Sequence, residues 1–226
     1  MHTATQKVAR FGLLTALALV LGLLDRAIPL TALLGGAAPG IKLGLANTVL
    51  LYGVYMLDWR SCVLLMLTKV FLSGFLFGSM SAILYSLSGG VLSLLVMLLT
   101  RKNARAGALT IAALTALSDI WLLYRNPRPG GQMLICVVLI ALACIASVAA
   151  FVVIRIHPEW GVLGVSLAGA VAHNVGQILM ASQVLRTPQL LYTYLPVLVG
   201  IGAVVGTLTG LVAQRVFRAL QIGEIN

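Results

Sequence analysis

Eight long apolar runs, separated by short polar or charged segments, restrict what this sequence can fold into. They cover residues 11–24, 41–57, 61–78, 82–100, 106–124, 132–154, 161–182 and 191–213. An α-helix needs roughly 18–20 apolar residues to cross the hydrocarbon core of a bilayer. Inside that core every backbone polar group must be paired within the protein, which a helix achieves by itself. The pattern predicts an all-α fold, a polytopic transmembrane helical bundle with eight spans.

Composition and charge support this class and exclude others. The 226 residues are 61% hydrophobic and 9% charged, more apolar surface than a soluble domain of this size can bury. The formal charge of +10 arises from Lys and Arg residues that lie mostly between the runs, which is typical of membrane topology signals rather than of nucleic-acid binding. With eight spans, nine basic residues fall on the side of the termini and five on the other side. Both termini are therefore predicted to be cytoplasmic.

The run at 164–181 carries polar groups that lipid would not accept. At 100° per residue, Ser166, Gly169, Ala170, His173 and Gln177 share one arc with Asn174 at its edge, while the opposite side is aliphatic. Polar side chains in a span turn toward a bundle interior or a cavity, and small residues allow a neighbouring helix to approach. Two interpretations fit: His173, Asn174 and Gln177 bond neighbouring helices, or they line a binding site.

Two lysines extend the second interpretation. Lys69 lies near the middle of its run, where an isolated cation is unfavourable by about 2.5–3.5 kcal/mol, so a carboxylate, carbonyls, water or an anionic ligand should compensate it. Asp25 and Asp119 are the acidic residues nearest to the membrane. Lys42 begins its run, followed by Asn47; it either reaches the headgroups or points a cation at a ligand.

Motifs for catalysis are missing from the sequence. The acidic residues are isolated from one another, namely Asp25, Asp58, Asp119, Glu159 and Glu224. Prenyl diphosphate synthases need clustered aspartates to hold Mg²⁺, and no such cluster, no zinc-type ligand set and no Ser-His-Asp spacing occurs here. A phosphate-binding GxxxxGK[ST] loop is also absent, so ATP hydrolysis would have to come from another protein. We therefore predict no enzyme activity, no catalytic residues, no metal site and no cofactor for this chain alone.

Four stretches resemble one known family. They are residues 39–47 (PGIKLGLAN), 73–78 (SGFLFG), 85–90 (YSLSGG) and 164–177 (GVSLAGAVAHNVGQ). In this order they are similar to the Gx transporter family, also labelled heptaprenyl diphosphate synthase component I. The resemblance covers 8–102 and 160–218. It implies a six-helix core similar to the substrate-binding S components of energy-coupling-factor transporters, in a bacterial plasma membrane. Residues 103–159 depart from it and are interpreted as an inserted hydrophobic hairpin within a single membrane domain, 1–226.

The leading functional hypothesis is a substrate-binding membrane subunit of a transporter. Its solute, anionic or isoprenoid-related, would lie between the 28–39 loop and the polar helix faces. The predicted contacts are cationic and amide-rich: Lys42, Asn47, Lys69, His173, Asn174 and Gln177. The alternative is a membrane component of a quinone- or flavin-dependent extracellular electron-transfer system. Either function implies the lipid bilayer, a small molecule and separate energising or redox subunits as partners, and no nucleic acid.

Overall fold

The computed structural model describes residues 4–28, 41–77, 80–103, 107–109, 111, 113, 130–157 and 160–220, and this part of the chain is helical without strands. Within these described ranges, seven α-helices have defined bounds: α1 (Ala4–Ala27), α2 (Thr48–Met56), α3 (Trp59–Phe77), α4 (Met80–Thr100), α5 (Gly130–Ile156), α6 (Gly161–Val184) and α7 (Gln189–Ala219). A 3₁₀ helix, Leu45–Asn47, precedes α2. The predicted all-α class is confirmed.

Helix α6 forms the centre of the bundle. It packs against α7 on one side and α4 on the other, and 83% of its most apolar window is buried, against 22% for α1. The predicted aliphatic side is covered as well: Val171 and Ile178 are both buried within apolar clusters. His173 and Gln177 face the bundle interior as predicted. A helix surrounded by protein can therefore carry several polar residues without exposing them to lipid.

Glycines bring α4 and α6 into backbone contact. A Cβ placed on Gly176 would lie 2.7 Å from Gly89 Cα and 2.8 Å from Ser88 O. Ser88 Oγ donates to Gly176 O (2.9 Å), which adds a hydrogen bond at the same crossing. The small-residue patch at 85–90 is thus a helix contact, the arrangement that small residues permit in membrane proteins.

Among the described residues, five helices have the length and hydropathy of membrane spans, which makes this a multi-pass membrane protein. They are Thr5–Ala27, Trp59–Leu76, Met80–Thr100, Gly161–Val184 and Thr193–Ala219. Two shorter apolar helices, Leu45–Met56 and Ala141–Ile156, accompany them. The predicted count of eight is not confirmed. Most of the predicted span 106–124 lies outside the described residues, as does most of the 28–39 loop.

The predicted helix over 41–57 is wrong in its first part. Residues 41–44 have no regular secondary structure, and the α-helix begins at Thr48. Gly44 has φ of +87°, a left-handed conformation that interrupts a helix and favours glycine. Lys42 therefore does not lie in the first turn of a helix but in a non-helical segment, 41–44, that is bonded to α6.

Candidate functional site

Lys69 lies deep in the bundle, where α3 faces the 3₁₀ helix. Its side chain is 5% exposed. Its ammonium donates to Ala46 O at 3.3 Å and to Asn47 Oδ1 at 3.4 Å, two long hydrogen bonds to neutral oxygens. Within the part of the chain that the structure describes, the compensation predicted for a central lysine is thus supplied by carbonyl groups and not by a paired carboxylate. One N–H of the ammonium remains for a further acceptor, because Lys has three.

Asn47 connects Lys69 to the central helix. Its Nδ2 donates to Ser93 Oγ at 2.6 Å, and Ser93 Oγ donates to Gly169 O at 2.8 Å. Asn47 and Ser93 are both buried. The chain of bonds from α3 through the 3₁₀ helix and α4 to α6 fixes the position of the Asn47 oxygen that faces Lys69. Ser93 was not singled out by the sequence pattern, since one serine in a span gives no signal of its own.

Gln177 holds the 41–44 segment against α6. Its Oε1 accepts from Lys42 N at 3.1 Å, and its Nε2 donates to Lys42 O at 3.0 Å. The side-chain amide thereby pairs with the backbone N–H and C=O of Lys42 as a neighbouring β-strand would. It satisfies two backbone groups that have no helical partner, because residues 41–44 are not helical. Gln177 is fully buried and uses its amide for this contact.

Asn174 has a comparable role toward α7. Its Nδ2 donates to Leu198 O at 2.8 Å, and its Oδ1 accepts from Gln177 Nε2 at 3.4 Å. Leu198 lies in α7, two residues after Pro196. The amide of Asn174 is therefore committed to protein groups.

His173 packs on the 41–44 segment and lines the same cavity as Lys69. The imidazole lies so close to Gly44 that a Cβ there would come within 2.8 Å of His173 Cδ2. The side chain is 5% exposed, and its Nδ1 is buried without a hydrogen bond to any described residue. Gly44 thus serves two needs, since its backbone is left-handed and its missing side chain makes room for the imidazole.

Asp25 enters the same region from the end of α1. One carboxylate oxygen, Oδ2, accepts from Ala46 N at 3.3 Å. The other, Oδ1, is buried and accepts no hydrogen bond from the described residues. Sequence reasoning considered Asp25 as a structural partner of Lys69 and did not include it among the ligand contacts. Asp119, the second candidate partner, lies outside the described residues.

A small cavity of about 30 Å³ joins these groups, room for roughly two water molecules. Four predicted site residues line it, Lys42, Asn47, Lys69 and His173, together with Asp25. Gln177 lies outside this lining and holds the Lys42 backbone, whereas Asn174 bonds Leu198 O of α7 and the Gln177 amide. The predicted residues are therefore near one another but divide into two groups, one at the cavity and one in helix contacts.

The cavity is cationic overall, and its charges differ in environment. Lys42 is half-buried in the lining of the cavity. Burial lowers the pKa of Lys42, and the nearby Arg26 guanidinium lowers it further, whereas the Asp25 carboxylate raises it. Within the described ranges no group of three or more His, Cys, Asp or Glu side chains could hold a metal ion. The arrangement offers hydrogen bonds and charge to a small polar molecule.

Comparison with known proteins yields one family. The model described as heptaprenyl diphosphate synthase component I matches residues 14–122 and 129–216. These ranges include most of the 103–159 segment, so the family pattern extends over residues that the sequence resemblance set apart. No curated protein and no solved structure matches. Because the match covers most of the chain, the protein belongs to the heptaprenyl diphosphate synthase component I family.

Proposed function

We propose that this protein is the solute-binding membrane subunit of a transporter and that the cavity at Lys69 is part of its binding site. One observation carries the proposal: charged groups converge on an internal cavity without neutralising one another by direct hydrogen bonds. Lys69 donates to neutral oxygens, and Asp25 keeps one oxygen without a partner in the described residues.

The burial of Lys69 and its long hydrogen bonds favour a ligand-binding role over a purely structural one. A buried charge costs several kcal/mol unless it is paired and hydrogen-bonded. Long bonds of 3.3 and 3.4 Å compensate Lys69 weakly compared with a charge-assisted contact of 2.7–2.9 Å. A solute that places an acceptor at the ammonium would recover this difference, so the cavity is arranged to gain free energy on binding.

The size of the cavity adds a requirement. A space for about two water molecules is smaller than most metabolites. A solute larger than this must move a lining group, and the 41–44 segment is the suitable element. It has no regular secondary structure, the Gln177 amide bonds it to α6, and it contributes Lys42 and Gly44 to the wall.

Energising partners follow from the same proposal. The sequence has no phosphate-binding loop, so an S-component-like subunit would depend on separate proteins for ATP hydrolysis. We assign no catalysis to this chain, although the family description names a synthase component. A bound quinone in place of a polar solute would favour the electron-transfer alternative.

Topology belongs to the proposal as well. Eight spans would place both termini in the cytoplasm of a bacterial cell, because nine basic residues lie on that side and five on the other. Single cysteines at Asn103 and Asn126, introduced after replacing Cys62, Cys136 and Cys144, should be labelled from opposite sides, with Asn126 outside. Labelling of both from the cytoplasm would contradict the two added spans.

The function is tested by purifying the protein from membranes in mild detergent and identifying the extracted small molecules by mass spectrometry. A compound enriched with the wild type and lost from Lys69→Met supports the proposal. Lys7→Met, a change at an exposed residue near the start of α1, is the matched control and should retain the compound. Equal recovery from Lys69→Met, or no enriched compound with the wild type, would contradict it.

A further inference from the structure

The unpaired oxygen of Asp25 indicates what kind of molecule the cavity accepts. Asp25 is 3% exposed and lines the cavity, and its Oδ1 has no hydrogen-bond partner among the described residues. Buried carboxylate oxygens are normally satisfied, and an ionised carboxylate accepts hydrogen bonds but donates none. A solute that displaces water from this oxygen, while the carboxylate is ionised, must therefore bring an N–H or O–H.

The opposite requirement holds at the lysines. The Lys69 ammonium has one remaining N–H. Lys42 bonds Gln177 through its backbone N–H and C=O, so the Lys42 ammonium takes no part in these bonds. An ammonium donates hydrogen bonds and accepts none. The same cavity thus offers hydrogen-bond donors at Lys42 and Lys69 and an acceptor at Asp25. These three residues line it from the 41–44 segment, α3 and α1, respectively.

We propose that the solute is amphoteric: it presents a hydrogen-bond donor, such as an ammonium or a hydroxyl group, to Asp25 Oδ1 beside an anionic or acceptor group held by Lys42 and Lys69. This inference rests on the proposed function and narrows its substrate class. A donor-free polyanion such as a diphosphate ester would bring like charge to the buried Asp25 carboxylate, which is unfavourable in a low-dielectric site. A quinone would leave Asp25 Oδ1 unsatisfied.

The variant that isolates this oxygen is Asp25→Asn. An asparagine keeps an acceptor for Ala46 N, so the contact between α1 and the 3₁₀ helix is preserved, while the negative charge is removed. Asp58→Asn is the matched control, because Asp58 is an exposed acidic residue at the start of α3 and outside the cavity.

Four probes in two matched pairs provide the measurement: glycine with acetate, and 4-aminobutyrate with butyrate. The members of each pair share a carboxylate and differ in the ammonium group. Thermal unfolding in detergent is followed against probe concentration at constant ionic strength. In the wild type and in Asp58→Asn, each amino acid should bind about tenfold more tightly than its partner, as expected for one charge-assisted hydrogen bond. Asp25→Asn should abolish this preference.

Three results would overturn the inference. They are equal or tighter binding of acetate and butyrate by the wild type, an unchanged preference in Asp25→Asn, and no response of the wild type to any of the four probes. The extraction experiment separates these results from a failure of the proposed function. A compound enriched with the wild type and lost from Lys69→Met would keep the binding site while the donor requirement is rejected.

Discussion

At the contacts of α6 with α4 and α7, polar side chains bond to backbone carbonyls, whereas at the cavity between α6, α1 and α3 a buried carboxylate oxygen has no partner among the described residues. In the first region Ser88, Ser166 and Asn174 donate to carbonyl oxygens at 2.8–2.9 Å. In the second, Asp25 Oδ1 has no partner among those residues. Polar residues thus serve helix association in one place, and in our proposal they contact a solute in the other.

The two regions also differ in packing. Along α7, Gly206 faces α6 so closely that a Cβ would lie 2.8 Å from Leu167 Cα. The helix contacts are therefore dry, and their polar groups strengthen a backbone approach that already exists. The cavity, by contrast, is bounded by the 41–44 segment, which the Gln177 amide and the buried Ile41 side chain hold against the bundle. In our proposal this segment moves to admit a solute, while the close contacts on two sides of α6 hold the other cavity residues in place.

The largest effect is expected where the helix backbones touch. Gly176→Val would force α4 and α6 apart, because even a Cβ at this position meets Gly89 Cα at 2.7 Å. We expect a loss of about 3 kcal/mol or more in the free energy of unfolding, as for severe overpacking. Thermal unfolding in detergent measures it. Gly12→Val is the control, since no atom lies within 4 Å of a Cβ there. Similar midpoints for the two variants would contradict the close approach.

A smaller loss of stability should follow from releasing the 41–44 segment from α6. Gln177→Ala removes both bonds to the Lys42 peptide group, leaving an N–H and a C=O to find other partners. Leaving such groups unsatisfied costs about 1–3 kcal/mol. The unfolding midpoint should fall, and protease cleavage within 41–44 should accelerate. Gln183→Ala, at an exposed position of the same helix, should change neither quantity. Unchanged cleavage in Gln177→Ala would show that other contacts hold the segment.

Part of this arrangement could be predicted from the sequence. Apolar runs located the helices, and the polar arc of 164–181 placed His173 and Gln177 in the interior, because burial in a membrane bundle follows helical periodicity. The depth of Lys69 in its run likewise indicated that a partner inside the bundle was required.

Other features depended on tertiary contacts that no local pattern reveals. The apolar composition of 41–47 fits a helix. However, Gln177, 135 residues away in the chain, hydrogen-bonds the Lys42 backbone, and Gly44 adopts a positive φ. The Pro39-Gly40 pair and Gly44 were the available signals of an interrupted helix. The division of the predicted residues into cavity-lining and helix-bonding groups required knowing which carbonyls lie near each side chain.

The smallest effect concerns a group far from both regions. Asp58 caps α3, accepting from Ser61 Oγ at 2.9 Å and from Ser61 N at 3.2 Å, and these bonds lower the pKa of the Asp58 carboxyl. A lowered pKa in the folded state stabilises the fold above the unfolded-state pKa of about 3.9, and this contribution is lost as the pH falls through the folded value. Asp58→Ala should therefore lower the unfolding midpoint slightly at pH 7, with a difference that shrinks toward pH 3. A difference independent of pH would rule out a role for the charge.

The difference between the two regions is tested most directly by comparing Asn174→Leu with Lys69→Met. For each variant the unfolding midpoint is measured in detergent after bound small molecules have been washed out, and retention of the extracted solute is measured before washing. Asn174→Leu should lose about 1–3 kcal/mol, because Leu198 O and Gln177 lose a partner. Lys69→Met should stay within about 1 kcal/mol of the wild type, because removing a buried charge offsets its two long bonds, yet it should no longer retain the solute. A Lys69→Met protein that loses about 3–5 kcal/mol, as when a buried ion pair is broken, and still retains the solute would contradict the account.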